Sequence, residues 1–191
     1  MDNNLKDNEL PWIEAGYELF SQFGPDALKI ERLSKKTGIS KSSFYHHFAD
    51  ISIFSERLLS YHLHRANIMA QRASFCRNMV PDMAELIVDM KSEILFNRQL
   101  RIHRSNMAYQ LCFERAVTIV EDALLVLWAD MLGLNDQKRI AQNILNVARD
   151  VFYHRMTNEN LNYEWVVSFI DEIKVFLRDV VKSSGVYSQI H

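Results

Sequence analysis

Only five Gly and three Pro interrupt 191 residues, and none of them falls in 39–80 or in 82–132. Strand-rich chains are punctuated by these residues. Such long uninterrupted runs favour helices, so the chain is expected to be all-α. With 48% hydrophobic residues, it has enough apolar material for one compact unit, or for a small module joined to a larger one.

The breakers that do occur mark out the N-terminal part. Residues 1–10 read as a frayed polar tail. Pro11 suits the first turn of a helix, and Ile13, Tyr17 and Phe20, with Gly16 and Leu19 beside them, form an apolar stripe at helical spacing. Gly24-Pro25 stops that helix. A second helix fits Leu28 to Lys36 and ends at Gly38. Ser40 is placed to cap a third, residues 41–48, by accepting from a free amide near its start. Asp50 can cap a fourth, running through Ile53, Phe54, Leu58 and Leu59 towards Arg72. Three small helices with a Gly-containing turn are the layout of a helix-turn-helix. Further helices are predicted over 80–98, 105–131, 137–155 and 162–183. Breaks fall at Gly133 with Asn135-Asp136 and at 157–160.

Composition excludes several classes. Cys76 and Cys112 cannot build a disulfide framework; buried free thiols and a reducing compartment are expected. The opening MDNNLKDNEL lacks the apolar region of a signal peptide. The most apolar stretch, 116–134, is broken by Glu121, Asp122 and Asp130, whereas a membrane span needs ~20 mostly apolar residues. A cytoplasmic protein with no membrane partner is therefore expected. There is no Gly-rich phosphate loop, no Gly-x-Ser-x-Gly and no paired-Cys metal spacing. Neither His46-His47 nor His62-x-His64 converges on a metal. No catalytic residue, metal or cofactor is expected.

Charge is local. The chain carries −2 overall, but 28–48 holds Lys29, Arg32, Lys35, Lys36 and Lys41 against Glu31, a window of 5 − 1 = +4. The third helix would present Lys41, Ser42, Ser43, Tyr45, His46 and His47 outward, with Phe44 and Phe48 as inward anchors. Cations and hydroxyls hold phosphates, and short polar side chains read base edges. On charge alone, a solvated cationic face on an ordinary helical domain is the better explanation of the window.

The pattern goes further than charge. Ala15, Leu19-Phe20, Phe23-Gly24, Ile30, Leu33-Ser34, the TGIS of 37–40 and KSSFYHHF with its Tyr45-x-His47-Phe48 signature follow one another in order. Residues 12–60 thereby resemble the tetracycline-repressor (TetR) family of bacterial regulators. The resemblance implies a helix-turn-helix at 11–55, a ligand-binding and dimerisation body at 56–191, and a homodimer released from operator DNA by a small molecule. It makes the third helix the recognition helix. Lys41, Ser42 and Ser43 would lie at the groove, Tyr45 on a phosphate, and His46 on a base edge or the backbone. Lys29, Lys36 and Ser40 complete the expected DNA-binding set, while His47 and Phe48 would be structural. Two positions depart from the family. Lys29 stands where Thr or Ser is frequent, which removes a cap but supplies a cation. Ile51 stands where Lys is common, which removes a backbone contact. A helical interaction module that has lost DNA binding remains the rival reading.

The last two predicted helices carry broad apolar faces, and two such helices per subunit can form a four-helix bundle about a two-fold axis. Ile144, Val151, Val166, Phe169, Ile173 and Val180 are the expected dimer residues, although the same stripes could face the subunit's own core. An effector pocket is expected around Phe96, His103, Asn106, Tyr109, Gln110, Phe113 and Trp128, since apolar walls with a few polar groups suit a small ligand. Core aromatics beside a solvated basic loop are the alternative. The cluster Arg98-Arg101-Arg104 suggests either an anionic ligand or plain surface exposure.

Overall fold

The computed structural model describes residues 8–183, with side chains described through 179. Every regular element among them is helical. The order is α1 (Leu10–Phe23), a 3-10 turn (Pro25–Ala27), α2 (Ile30–Thr37), α3 (Lys41–His47), α4 (Ile51–Ala73), a loose turn (Met79–Met83), α5 (Ala84–Asp89), α6 (Lys91–Ile102), α7 (Met107–Leu132), α8 (Lys138–Arg155) and α9 (Tyr163–Ser183). No helix among the described residues is long and apolar enough to cross a membrane.

Local signals set the boundaries of the first four helices. Pro11 sits in the first turn of α1, and Gly24 ends it at φ 75°. Gly38 closes α2 in the left-handed region, φ 72° and ψ 8°, a conformation that costs an L side chain and not glycine. Ser40 caps α3 by accepting from the Ser43 amide at 3.3 Å. Asp50 Oδ1 caps α4 by accepting from the amides of Ser52 (2.7 Å) and Ile53 (3.0 Å). Lys29 occupies the cap position of α2 without a side-chain bond.

One predicted helix is two. The stretch expected as a single helix over 80–98 breaks at Met90, whose φ of −101° and ψ of 36° leave the helical region. Val80 is also extended, at φ −135° and ψ 123°. The break coincides with a division of the chain into two compact units. The first holds the residues up to Phe75 together with Met90–Asp122; the second holds Cys76–Asp89 and the residues from Ala123 on.

The core of the first unit is aromatic. Trp12, Phe20, Phe44, Phe48, Phe54 and Phe96 are all fully buried, with Ile13, Leu33, Leu58 and Leu100 among them. Burying each such ring contributes about 1.5–3 kcal/mol. At Gly16 of α1 the Phe54 ring of α4 leaves no room for a side chain: a Cβ there would lie 2.4 Å from Phe54 Cζ. Cys112 is buried as expected, and burial pushes its thiol up to about 12, so it stays neutral. Cys76 is only half-buried, which corrects the expectation of two buried thiols.

In the second unit α5 packs on α9. Phe152, Trp165 and Phe169 form an aromatic cluster, with centroids 5.3–5.7 Å apart. Arg155 grips Glu172 with two bonds, Nη1 to Oε2 at 2.6 Å and Nη2 to Oε1 at 3.2 Å, and so ties α8 to α9.

Candidate nucleic-acid interface

Helix α3 is held from behind and open in front. Phe44 and Phe48 are buried at 0% and 1% exposure, and Trp12 and Phe54 pack on the Phe44 ring at 5.3 and 5.4 Å. The turn before α3 is stitched by side chains: Ser34 Oγ donates to the Ile39 carbonyl at 2.5 Å, and the Ile39 amide donates to Thr37 Oγ1 at 3.2 Å. A short helix fixed by two buried rings and a pinned turn presents its outer side chains in one orientation, as groove recognition requires.

Most of the side chains expected to face outward are exposed. Lys29, Lys36, Ser40, Lys41, Ser42, Tyr45 and His46 are exposed, and Ser43 is half-buried. Tyr45 is 57% exposed, with its ring braced edge-on against Phe44 at 5.8 Å. His47 is half-buried beside Phe48. Two of the cations have acidic partners. Lys41 Nζ donates to Glu31 Oε1 at 2.6 Å, and Lys36 Nζ lies 2.8 Å from Glu18 Oε1. The hydrogen bond from Lys41 holds the Glu31 carboxyl below its ordinary range. Both pairs are solvent-exposed and screened by salt, so a phosphate can compete for either lysine at small cost. Ile51 is half-buried against the core, so α4 begins without the cation that the family resemblance would place there.

Behind this surface lies a buried polar chain that sequence did not reveal. His62 on α4 is 1% exposed. Its Nε2 lies 2.9 Å from Asn97 Oδ1 on α6, and its Nδ1 lies 2.8 Å from the Tyr17 hydroxyl on α1. Asn97 Oδ1 can only accept, so Nε2 carries the hydrogen and the Tyr17 hydroxyl donates to the bare Nδ1. Burial lowers the His62 pKa to about 4, against the opposing pull of the bond to Asn97. Phe96 stacks against Tyr17, Phe20 and His62 at 4.5, 4.2 and 4.3 Å. Next to it Arg65 on α4 binds Glu93 on α6 at 2.6 Å, with the Glu93 side chain only 5% exposed. Three helices are thus joined by hydrogen bonds that have one satisfying arrangement.

The residues expected to line an effector pocket differ in burial. Phe96 is fully buried in the aromatic stack. Tyr109 and Phe113 are half-buried against the same core, with Tyr109 edge-on to Phe20 at 5.6 Å. His103 is half-buried, while Asn106 and Gln110 are exposed. Asn106 Oδ1 accepts from the Ala108 amide at 2.9 Å at the start of α7, and Gln110 donates to Glu114 at 3.0 Å. Trp128 belongs to the second unit, buried to 2% exposure, with no hydrogen-bond partner for its Nε1.

Of the residues expected at a dimer interface, Val166 and Phe169 are buried within the single chain at 1% and 4% exposure. Ile144, Val151 and Ile173 are half-buried; the side chain of Val180 lies outside the described residues. The same helices leave other apolar side chains in solvent: Ile140, Val147, Val175 and Phe176 are 46–65% exposed. Val175 and Phe176 border an open groove along α9 that also includes Tyr163 and Val167.

Residues 13–52 match the family model described as bacterial regulatory proteins, tetR family. No curated protein matches the chain significantly. Among solved structures, a protein of Rhodococcus sp. classed with the TetR-family transcriptional regulators aligns over 89% of this chain and 100% of its own, at 15% identity and a TM-score of 0.52. Another so classed, from Mesorhizobium loti, aligns over 88% and 96%, at 17% identity and a TM-score of 0.48. The first of these likenesses carries the helical fold along most of the chain. The family match falls on the capped helices, the pinned turn and the open face of α3, so the likeness to the tetR family lies in that N-terminal segment.

Proposed function

We propose that the protein is a cytoplasmic, homodimeric repressor that a small molecule releases from operator DNA. One observation carries the DNA part: α3 is anchored by Phe44 and Phe48 and turns Lys41, Ser42, Tyr45 and His46 outward. In this reading residues 11–55 bind DNA, and 56–191 supply dimerisation and effector binding, with Tyr109 and Phe113 near the effector. The dimer would set its two recognition helices one turn of duplex apart, about 34–36 Å. An effector shifts that arrangement only by binding one spacing better than another, so operator DNA weakens effector binding by the factor with which effector weakens DNA binding.

The test is a mobility shift on the DNA upstream of the chain's own gene. Wild type should retard it. Lys41→Ala with Tyr45→Phe should weaken binding by about 2 kcal/mol or more, because phosphate contacts supply much of the affinity, while leaving the melting temperature unchanged. Equal retardation by the double variant removes α3 from the recognition role. Lack of binding by a folded wild-type dimer favours the interaction-module reading.

A further inference from the structure

The C-terminal end of α6 rests on the turn that ends α1. A Cβ at Gly24 would come within 2.9 Å of both Gln99 Oε1 and His103 Nε2. Phe20, four residues earlier, holds Phe96 of α6 and Tyr109 of α7. Tyr109 has its phenol pKa raised, chiefly by burial and also by the nearby Asp26 charge. The corner between α6 and α7, residues 103–106, is therefore fixed beside the α1–α2 turn.

That corner is cationic and its flanks lack acids. From Ile94 to Phe113 the sequence holds Arg98, Arg101, His103 and Arg104 and no Asp or Glu, in a chain of net charge −2. Arg104 is exposed, with no ion-pair partner among the described residues. Arg101 holds its guanidinium 6.0 Å from the Phe113 ring centre. Across the turn, Lys29 and Arg32 are exposed, and Arg32 stacks 4.6 Å over the Phe23 ring. Asp26 and Glu31 are the acids in 19–32, and Glu31 is paired with Lys41. Cations still outnumber acids around this turn and corner, and a polyanion relieves the repulsion among them.

We propose that Arg101 and Arg104, with Lys29 and Arg32, form a shoulder that binds backbone phosphates of the duplex outside the stretch facing α3. The proposal rests on α3 as the DNA-reading helix, and it adds a contact from the body of the protein to those of the helix-turn-helix. Because phosphate contacts carry no sequence information, the shoulder would raise affinity for any duplex.

The experiment titrates the full-length chain onto a random-sequence duplex at a series of salt concentrations. Each phosphate contact contributes about −0.9 to the slope of log K against log salt, so Arg104→Gln should make the slope shallower by about 0.9 and weaken binding about eightfold at about 0.1 M salt. Arg104→Glu should weaken it further. The melting temperature should stay at the wild-type value in both. If Lys41→Ala with Tyr45→Phe lowers affinity while both Arg104 variants keep the wild-type slope and Kd, the shoulder is rejected and the α3 reading stands. If wild type binds no duplex at any salt, the α3 reading fails and takes the shoulder with it. If millimolar inorganic phosphate raises the melting temperature, Arg104→Gln abolishes that rise and the DNA slope is unchanged, the corner serves a small anion, which also overturns the proposal.

Discussion

The Tyr17 hydroxyl donates to His62 Nδ1 across 2.8 Å, joining residues 45 positions apart in sequence. Tyr17→Phe keeps the ring that stacks on Phe96 and deletes only the donor, leaving a buried nitrogen unsatisfied. The expected loss of stability is about 1–3 kcal/mol, read from urea unfolding at neutral pH. An unchanged midpoint would show that water satisfies His62 and that the bond contributes nothing net.

Stability should also fall in mild acid. The unfolded histidine titrates at its ordinary value of 6.5, whereas buried His62 titrates at about 4. Between these pH values the unfolded chain binds one proton more than the folded one, so stability is lost as pH falls from about 6.5 and the loss levels off below about 4. The full effect is about 3 kcal/mol. His62→Gln, which can still accept from Tyr17 and donate to Asn97, should remove this component. The check is the difference between wild-type and variant unfolding free energies across the window; a constant difference contradicts the assignment to His62.

Gly16→Ala should destabilise the first unit. The added methyl would meet the Phe54 ring, which is itself fully buried, so the ring cannot swing into solvent. Overpacking of this kind costs about 1–3 kcal/mol, outweighing the gain of about 1 kcal/mol from replacing a mid-helix glycine. Thermal melting decides the sign, and a stabilised variant would mean that α1 and α4 separate freely.

For the proposed dimer, the outward apolar side chains of α8 and α9 give a sharper test than the inward ones. Val147→Lys or Phe176→Lys should yield a folded monomer by sedimentation, since both positions are exposed in the single chain. Val166→Lys should unfold the second unit, because it buries an unpaired charge. A wild-type monomer at micromolar concentration would contradict the dimer.

What was legible in the sequence follows the range of the interaction responsible. Ser40, Asp50 and Gly38 act on amides two or three residues away or on their own φ, and their helix ends were readable. The break at Met90 involves neither Gly nor Pro, and nothing local distinguishes it from the helix on either side. His62 reads as half of an unremarkable His-x-His pair, because its partners lie 45 and 35 positions away. On α8 and α9 both flanks are apolar, so periodicity could not separate the strip that closes the chain's own core, with Val166 and Phe169, from the strip left outside, with Val147 and Phe176. The exposed face of α3 was readable because amphipathic spacing and the family pattern fall on the same eight residues.

The break at Met90 bears on how the chain can be taken apart. A fragment ending at Phe75 would contain the whole matched segment 13–52 and all of α4. It would nevertheless leave Tyr17, Phe20 and His62 facing water, because Phe96, Asn97 and Leu100 arrive only with Met90–Asp122. A chimaera that grafts the matched segment onto another body must therefore transplant a discontinuous piece, α6 and the start of α7 included, to keep that core closed. Swaps made at a single junction in the fourth helix would leave that aromatic core without the side chains that close it.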